Sequence, residues 1–274
     1  MKLKEIPLSI FHNVRLLLIP TDKLKSNSQN EIPVVVSLTS IPSRLHIVHL
    51  VVRSILSQEV HPKKVLLWLN NDLKNTIPKK LEKLESDIFE IRYSELNCSH
   101  RKLIHTLESH SNNTIITCDD DLMYDKTWLK SLYDEHLKNP DLIIANQIRY
   151  ISYSEDGVLL PYKKWKNSSE LQTDAKAVLP IGAGGVLYPP NSLSPETTNK
   201  DLFLKLTPKA DDLWFKAMAV LKGTLSILSK TTVPTPTPII GSQKQSLKKT
   251  NIGLDKNREQ WLKVSEYFNI SLKS

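Results

Sequence analysis

Glycine is almost missing from the first half of this chain: of its seven glycines, none precedes Gly157. Loops that cradle phosphate on backbone N–H groups need several glycines at fixed spacing, so a P-loop and a standard dinucleotide fingerprint are both excluded. Nucleotidyltransferases whose first strand ends in a glycine-rich turn are disfavoured for the same reason. Cysteine is scarcer still. Cys98 and Cys118 carry no metal-ligand spacing, and nothing demands an oxidising compartment. Histidine stops at His136. Long apolar runs are absent: the best, residues 6–20, is interrupted by His12, Asn13 and Arg15. It is too short and too polar to span a bilayer, and it makes a poor secretion signal. These features place the chain in the cytoplasm, with an amphipathic first element touching the inner membrane face left open. Aromatics do not alternate with arginine as they do in single-strand nucleic-acid binders.

What is present is an ordinary globular composition, 40% hydrophobic and 24% charged in 274 residues. That length holds one large α/β domain or two smaller ones. The net charge of +8 comes from scattered lysines. It suits anionic substrates, or loose attachment to an acidic membrane face, better than a nucleic-acid groove.

Along the chain, residues 32–38, 64–69 and 88–93 read as buried strands, and residues 114–117 as a fourth. Helical spacing separates them. Ser43 is placed to cap a helix bearing Leu45, Val48, Val51, Val52, Ile55 and Leu56, a short helix covers 78–84, and another spans 100–110. Asp125 is placed to cap a helix through Lys138, with Trp128, Leu129, Leu132, Tyr133 and Leu137 on its inner face. Such alternation predicts an α/β fold, a mainly parallel, Rossmann-like sheet with helices on both faces. Beyond residue 141 the alternation blurs. Strands are predicted over 142–147 and 178–187, a helix over 210–222, an extended run over 233–238 and a last amphipathic helix. No linker divides the chain. The expected organisation is an N-terminal extension, 1–30, and a single domain, 31–274, whose nucleotide-binding part covers about 31–140 and acceptor-binding part about 141–274.

The most informative stretch follows the fourth strand. Asp119, Asp120 and Asp121 sit where that strand leaves the core, the edge at which open α/β sheets bind ligands. Acidic runs are often solvated turns. Three adjacent carboxylates at a strand end repel one another unless a cation or strong donors compensate, and the buried strand before and capped helix after favour a metal site. A second acidic pair, Asp211-Asp212, opens the predicted helix at 210, where carboxylates also serve as caps in any protein. The later glycines cluster at Gly182, Gly184 and Gly185.

From about Pro33 to Lys222 the chain resembles the GT-A nucleotide-sugar glycosyltransferases, in particular their inverting, family-2-like bacterial members. Four features in order carry the resemblance: Val34-Val35-Val36-Ser37-Leu38-Thr39-Ser40, Cys118-Asp119-Asp120-Asp121 as the Asp-x-Asp motif, Gly182-Ala183-Gly184-Gly185, and Ala210-Asp211-Asp212-Leu213-Trp214. It implies transfer of a sugar from a nucleotide-diphosphate donor, such as a UDP-sugar, to a hydroxyl of a glycan acceptor in bacterial surface polysaccharide synthesis. It further implies a Mn²⁺ or Mg²⁺ ion on Asp121, with Asp119 at the ribose or a metal-bound water and Asp120 near the sugar. Thr39, Ser40, Arg44, Asp72 and Lys102 fall in the donor site, with Arg101 an alternative to Lys102. For both cations an ordinary place on a helix surface is equally open. Asp212 takes the place of the catalytic base, beside Asp211, and Gly184 and Gly185 face the acceptor. One departure stands out. Many relatives supply a metal-binding histidine after the base, and this chain has none there, so water and phosphates would complete the shell. A lysine-bearing loop, 242–251, with Lys244, Lys248 and Lys249, is expected to close over the diphosphate.

Two other readings stay open. Haloacid-dehalogenase-like phosphatases also carry Asp-x-Asp at a strand end, but on the first core strand and with Thr or Val where this chain has Met123. A non-catalytic sugar- or cation-binding module needs no base at all.

Overall fold

The computed structural model describes residues 3–26, 30–167, 175–242 and 253–272. Its elements are α1 (Ile6–Leu18), α2 (Thr21–Lys25), β1 (Glu31–Thr39), α3 (Leu45–Leu56), β2 (His61–Asn70), α4 (Lys79–Glu82), β3 (Phe89–Ser94), α5 (Arg101–Ser109) and β4 (Thr114–Thr117). There follow β5 (Leu122–Met123), α6 (Trp128–Lys138), β6 (Ile143–Ala145), β7 (Ile148–Tyr150), β8 (Lys166–Asn167), β9 (Val178–Pro180) and β10 (Val186–Tyr188). The chain ends with α7 (Lys200–Leu206), α8 (Asp211–Lys222), β11 (Ser226–Leu228), β12 (Thr237–Pro238) and α9 (Lys256–Tyr267).

A seven-stranded sheet in the order β11-β6-β10-β4-β1-β2-β3 forms the centre. Only β10 runs against the others. The period-2 alternation of β-branched and large apolar residues divides the core between the two faces. Ile116, Ile144 and Leu187 pack with α3 and α6, whereas Ile115, Ile143, Val186 and Tyr188 pack with α5, α8 and α9. This is the mainly parallel α/β sheet, covered on both faces, that the alternation of elements predicts. The sheet does not respect a boundary near residue 140, because β6, β10 and β11 complete what β1 to β4 begin.

The order of strands positions the site. From β1 the chain builds outward through β2 to β3, then crosses back in α5 and adds β4 on the other side of β1. Neighbouring parallel strands whose connections leave in opposite directions open a crevice at their carboxyl ends. Here those ends are Ser40 and Asp119–Asp121.

The structure refines several local expectations. The apolar run 178–187 is two strands, β9 in a small sheet with β7 and β8 and β10 in the main sheet, parted by a 3₁₀ turn at Gly182–Gly184. Ser43 lies inside a 3₁₀ turn, Pro42–Arg44, that precedes α3, and the residue at the N-cap of the helix is Arg44, whose side chain makes no capping bond. Leu137 points outward, 63% exposed, because α6 meets the sheet through Trp128, Leu129 and Leu132. Of the extended run 233–238, only Thr237–Pro238 forms a strand, paired antiparallel with β5 just after the acidic run. No helix among the described residues is long and apolar enough to cross a membrane.

The turn before β10 is fixed by steric need. Gly185 has φ +93°, and a Cβ there would lie 2.5 Å from Trp128 Nε1. Gly223, which ends α8 at φ +82°, has open space around it. Gly223→Ala therefore costs only the left-handed backbone term, about 1–2 kcal/mol. Gly185→Ala adds the clash and costs about 3 kcal/mol or more. Denaturant titration of the two variants should show that ordering.

Candidate active site

β1 ends in Thr39 and Ser40, and one buried arginine holds that end in place. Arg101, from the first turn of α5, donates to the Thr39 hydroxyl, to Ser40 O and, at 2.7 Å, to Leu96 O. The Thr39 hydroxyl in turn donates to Trp68 O at 2.8 Å. Arg101 and Thr39 thus bind each other and the backbone carbonyls of Leu96, Ser40 and Trp68. Ser40 is different: its hydroxyl donates to Asp120 Oδ2 at 2.5 Å.

The acidic run is compensated by two cations, each reaching it from a different helix. Arg44, delivered by the 3₁₀ turn ahead of α3, places Nη1 2.6 Å from Asp120 Oδ1 and Nη2 3.0 Å from Asp121 Oδ2. Its Nε donates to Ser242 O at 3.3 Å. Burial opposes the charge on Arg44, but the two carboxylates outweigh it and hold the guanidinium ionised. Burial still pushes the Asp120 carboxyl upward despite Arg44 and Ser40. Lys102, second residue of α5 and almost wholly buried, lies 3.1 Å from Asp119 Oδ1 and 3.0 Å from Asp211 Oδ2. Desolvation works against its charge, and Asp211, Asp119 and Asp212 together reverse that and raise its pKa well above the ordinary value.

Asp211 and Asp212 open α8, but neither acts as a simple cap, and their environments differ sharply. Asp211 is buried, takes the Ser99 hydroxyl at 2.8 Å and faces Lys102. Burial alone would raise its pKa, but the Lys102 ammonium prevails and holds it below the usual carboxylate range. Asp212 receives the N–H of Gly182 at 3.2 Å on both oxygens. Protein crowds it from most sides while part of its surface still meets solvent. Desolvation first, then the Asp211 charge, push its pKa well above the usual range.

The glycine turn is the other wall. A Cβ at Gly182 would stand 3.0 Å from Asp212 Oδ1, 3.2 Å from Lys102 Nζ and 3.5 Å from Asp119 Oδ1, so this glycine marks the convergence of the site. Gly184 and Gly185 are closely packed: a Cβ at Gly184 would lie 2.6 Å from Gln147 Cβ, and one at Gly185 would strike Trp128. Trp128 Nε1 donates to Gly184 O at 2.8 Å. The Tyr124 hydroxyl accepts from Asp119 N at 2.9 Å and donates to Ala183 O at 3.3 Å, tying the acidic run to the turn. Neither the role of Gly182 nor that of Tyr124 is evident in the sequence; the one signal for Tyr124 is its place three residues after Asp121.

The structure therefore gathers Ser40, Arg44, Lys102, Asp119, Asp120, Asp121, Asp211 and Asp212. Asp72 stands apart, exposed in the turn after β2, its N–H bonded to Asn70 Oδ1 at 3.0 Å. The loop carrying Lys244, Lys248 and Lys249 lies outside the described residues. Both carboxylates expected to hold a divalent cation are paired with protein cations here. Asp121 faces Arg44 and Asp119 faces Lys102, and among the described residues no three His, Cys, Asp or Glu side chains are grouped to hold a metal. The strong donors that an acidic run requires are protein side chains.

Lys102 is the structural test of this description. Lys102→Met leaves Asp211 buried without its counter-charge and costs about 3–5 kcal/mol, the scale for breaking a buried pair. Adding Asp211→Asn removes the orphaned charge, so the double variant should recover part of that loss in a denaturant titration. Strict additivity would mean that the two groups are not coupled.

No protein-family model matches this chain, and no curated protein matches it. Among the solved structures that match, two overlap it loosely as follows. HddC from Yersinia pseudotuberculosis is 9% identical, with a TM-score of 0.37 over 59% of this chain and 77% of its own. The 4-diphosphocytidyl-2C-methyl-D-erythritol synthase from Anaerococcus prevotii is 10% identical, with a TM-score of 0.46 over 83% of this chain and 96% of its own. Overlaps of that degree carry no argument about activity.

Proposed function

We propose that the chain is a glycosyltransferase that moves a sugar from a nucleotide-diphosphate donor to a hydroxyl of a glycan acceptor, with Asp212 as the general base. One observation carries the reading. In the crevice beside β1 and β4, two adjacent carboxylates have their proton affinities driven apart, Asp211 downward by Lys102 and Asp212 upward by burial and by Asp211. A carboxylate whose pKa approaches the working pH is suited to accept a proton from an attacking hydroxyl, and a divergent pair assigns the roles.

The remaining parts support the same reading. The crevice is where a doubly wound sheet takes a nucleotide. Arg44 keeps 15% of its side chain exposed and is the cation that an incoming diphosphate meets. Asp119, whose side chain is 36% exposed, lies on the accessible side of the run and can accept hydroxyls of the donor. Gly182 leaves space beside Asp212 that any side chain would fill. Asp211 and Lys102 orient and tune the base and touch no substrate.

Screening nucleotide sugars for slow hydrolysis needs no knowledge of the acceptor and tests the reading directly. Asp212→Asn should reduce turnover by orders of magnitude with donor affinity nearly unchanged, because a base acts only in the transition state. Turnover should rise with pH through a value above the ordinary carboxylate range, and Asp211→Asn, by removing the adjacent charge, should move that limb to lower pH. Stability adds a second signature. Folding raises the proton affinity of Asp212, so its ionisation costs stability as pH climbs from the ordinary carboxylate range through the raised value. Asp212→Asn should therefore melt a few degrees higher than the parent at alkaline pH and alike below pH 4. Undiminished hydrolysis by a folded Asp212→Asn protein would remove the base from Asp212.

A further inference from the structure

Helix α1 is mounted the wrong way round for a helix that belongs only to a globular core. Such helices turn their apolar stripe inward and their polar stripe to water. In α1 the fully buried positions are Ser9 and Leu16, with His12 and Asn13 half-buried beside them. The outward arc holds Ile10, Phe11, Val14, Leu17 and Leu18, between 47% and 77% exposed. At 100° per residue these five fall within one continuous third of the circumference, without a charge among them.

Polar contacts on the inner side fix this orientation. The Ser9 hydroxyl donates to Pro238 O at 2.7 Å, on the strand that pairs with β5 behind Asp121. Arg53, buried in α3, donates to Leu16 O at 2.8 Å and to Ile19 O, satisfying carbonyls at the end of α1. The helix is anchored without use of its apolar stripe.

Charge selects the occupant. Across residues 3–26 the cations are Lys4, Arg15, Lys23 and Lys25, against Glu5 and Asp22, and α1 itself contains no acidic residue. Exposed Lys4 precedes α1 in the chain, and exposed Lys23 and half-buried Lys25 follow it on α2, in a chain of net charge +8. A second copy would bring the same cations against themselves, whereas an anionic lipid surface complements both the stripe and its rim. With thirteen residues α1 is about 20 Å long, short of a hydrocarbon core of about 30 Å. We propose that α1 docks in the plane of an anionic membrane face, with its apolar arc at the boundary between headgroups and acyl chains. This inference does not depend on the reaction assigned to the crevice.

The test is co-sedimentation of the full chain with vesicles of phosphatidylglycerol and phosphatidylcholine, and with vesicles of phosphatidylcholine alone. The full chain should bind the mixed vesicles, bind neutral ones far more weakly, and lose affinity as salt rises. Phe11→Ser with Leu18→Ser should weaken binding at least tenfold while leaving the circular dichroism and melting temperature unchanged, since both residues are exposed. Lys4→Glu with Lys23→Glu and Lys25→Glu should abolish the preference for anionic lipid. The proposal is overturned if the parent stays in the supernatant with mixed vesicles, or if the Phe11/Leu18 variant binds as the parent does. It is equally overturned if light scattering shows a parental dimer that this variant converts to monomer, for then a second copy covers the stripe.

Discussion

One buried ammonium joins the two ends of this molecule's chemistry. Lys102 leaves the first turn of α5 and stands between Asp119 at the end of β4 and Asp211 at the start of α8. A lysine taken out of water is costly, and here it is tolerable because carboxylates contact it on both sides. The same contact fixes where α8 begins relative to the sheet. It also sets the electrostatics next door: Lys102 holds Asp211 ionised, and that charge, after burial, raises the proton affinity of Asp212. Removing any member of this set alters the others, so the acidic run and the acidic pair form one electrostatic unit.

The crevice owes its position to topology and its contents to three crossing elements. Returning over the sheet from β3 places β4 beside β1 and opens the gap between their ends. α5 brings Arg101 to lock β1 and Lys102 to meet the carboxylates. The irregular entry to α3 sets Arg44 against Asp120 and Asp121, which an immediate helical start capped by Ser43 would not provide. Among the described residues five carboxylates (Asp119, Asp120, Asp121, Asp211 and Asp212) meet two cations (Arg44 and Lys102), and burial together with the Asp211 charge raises the proton affinity of Asp212. Strain of this kind is expected where a group must be ready to change its protonation state.

Packing supports the site from behind. The glycine turn is clamped by Trp128 on Gly184 and by Tyr124 on Ala183, while Gly185 adopts a backbone angle that side chains resist. Gly182 can then present its N–H to Asp212 in a fixed direction. Rigid aromatic support behind a short turn is a way to hold a carboxylate within a fraction of an ångström of a working position.

The sequence by itself determined the elements and their alternation, because strand and helix periodicities are local and the apolar residues obey them. It also determined that Asp119–Asp121 lie at a strand end and that Asp211-Asp212 open a helix, since both follow from position within those local patterns. How the acidic run is neutralised was decided only in three dimensions. Arg44 lies 76 residues from Asp120 and Lys102 17 from Asp119, and pairing across those separations follows from strand order and helix placement. The split of residues 178–187 into two strands of different sheets was likewise tertiary, as β10 has its place only between β4 and β6. The division of labour between neighbours was decided there too: Asp211 faces Lys102 and Asp212 faces Gly182 because consecutive positions on a helix point about 100° apart. The outward stripe of α1 belongs to the same class. Its apolar residues are plain in the sequence, but which side faces the protein was settled by the contacts of Ser9 and Arg53.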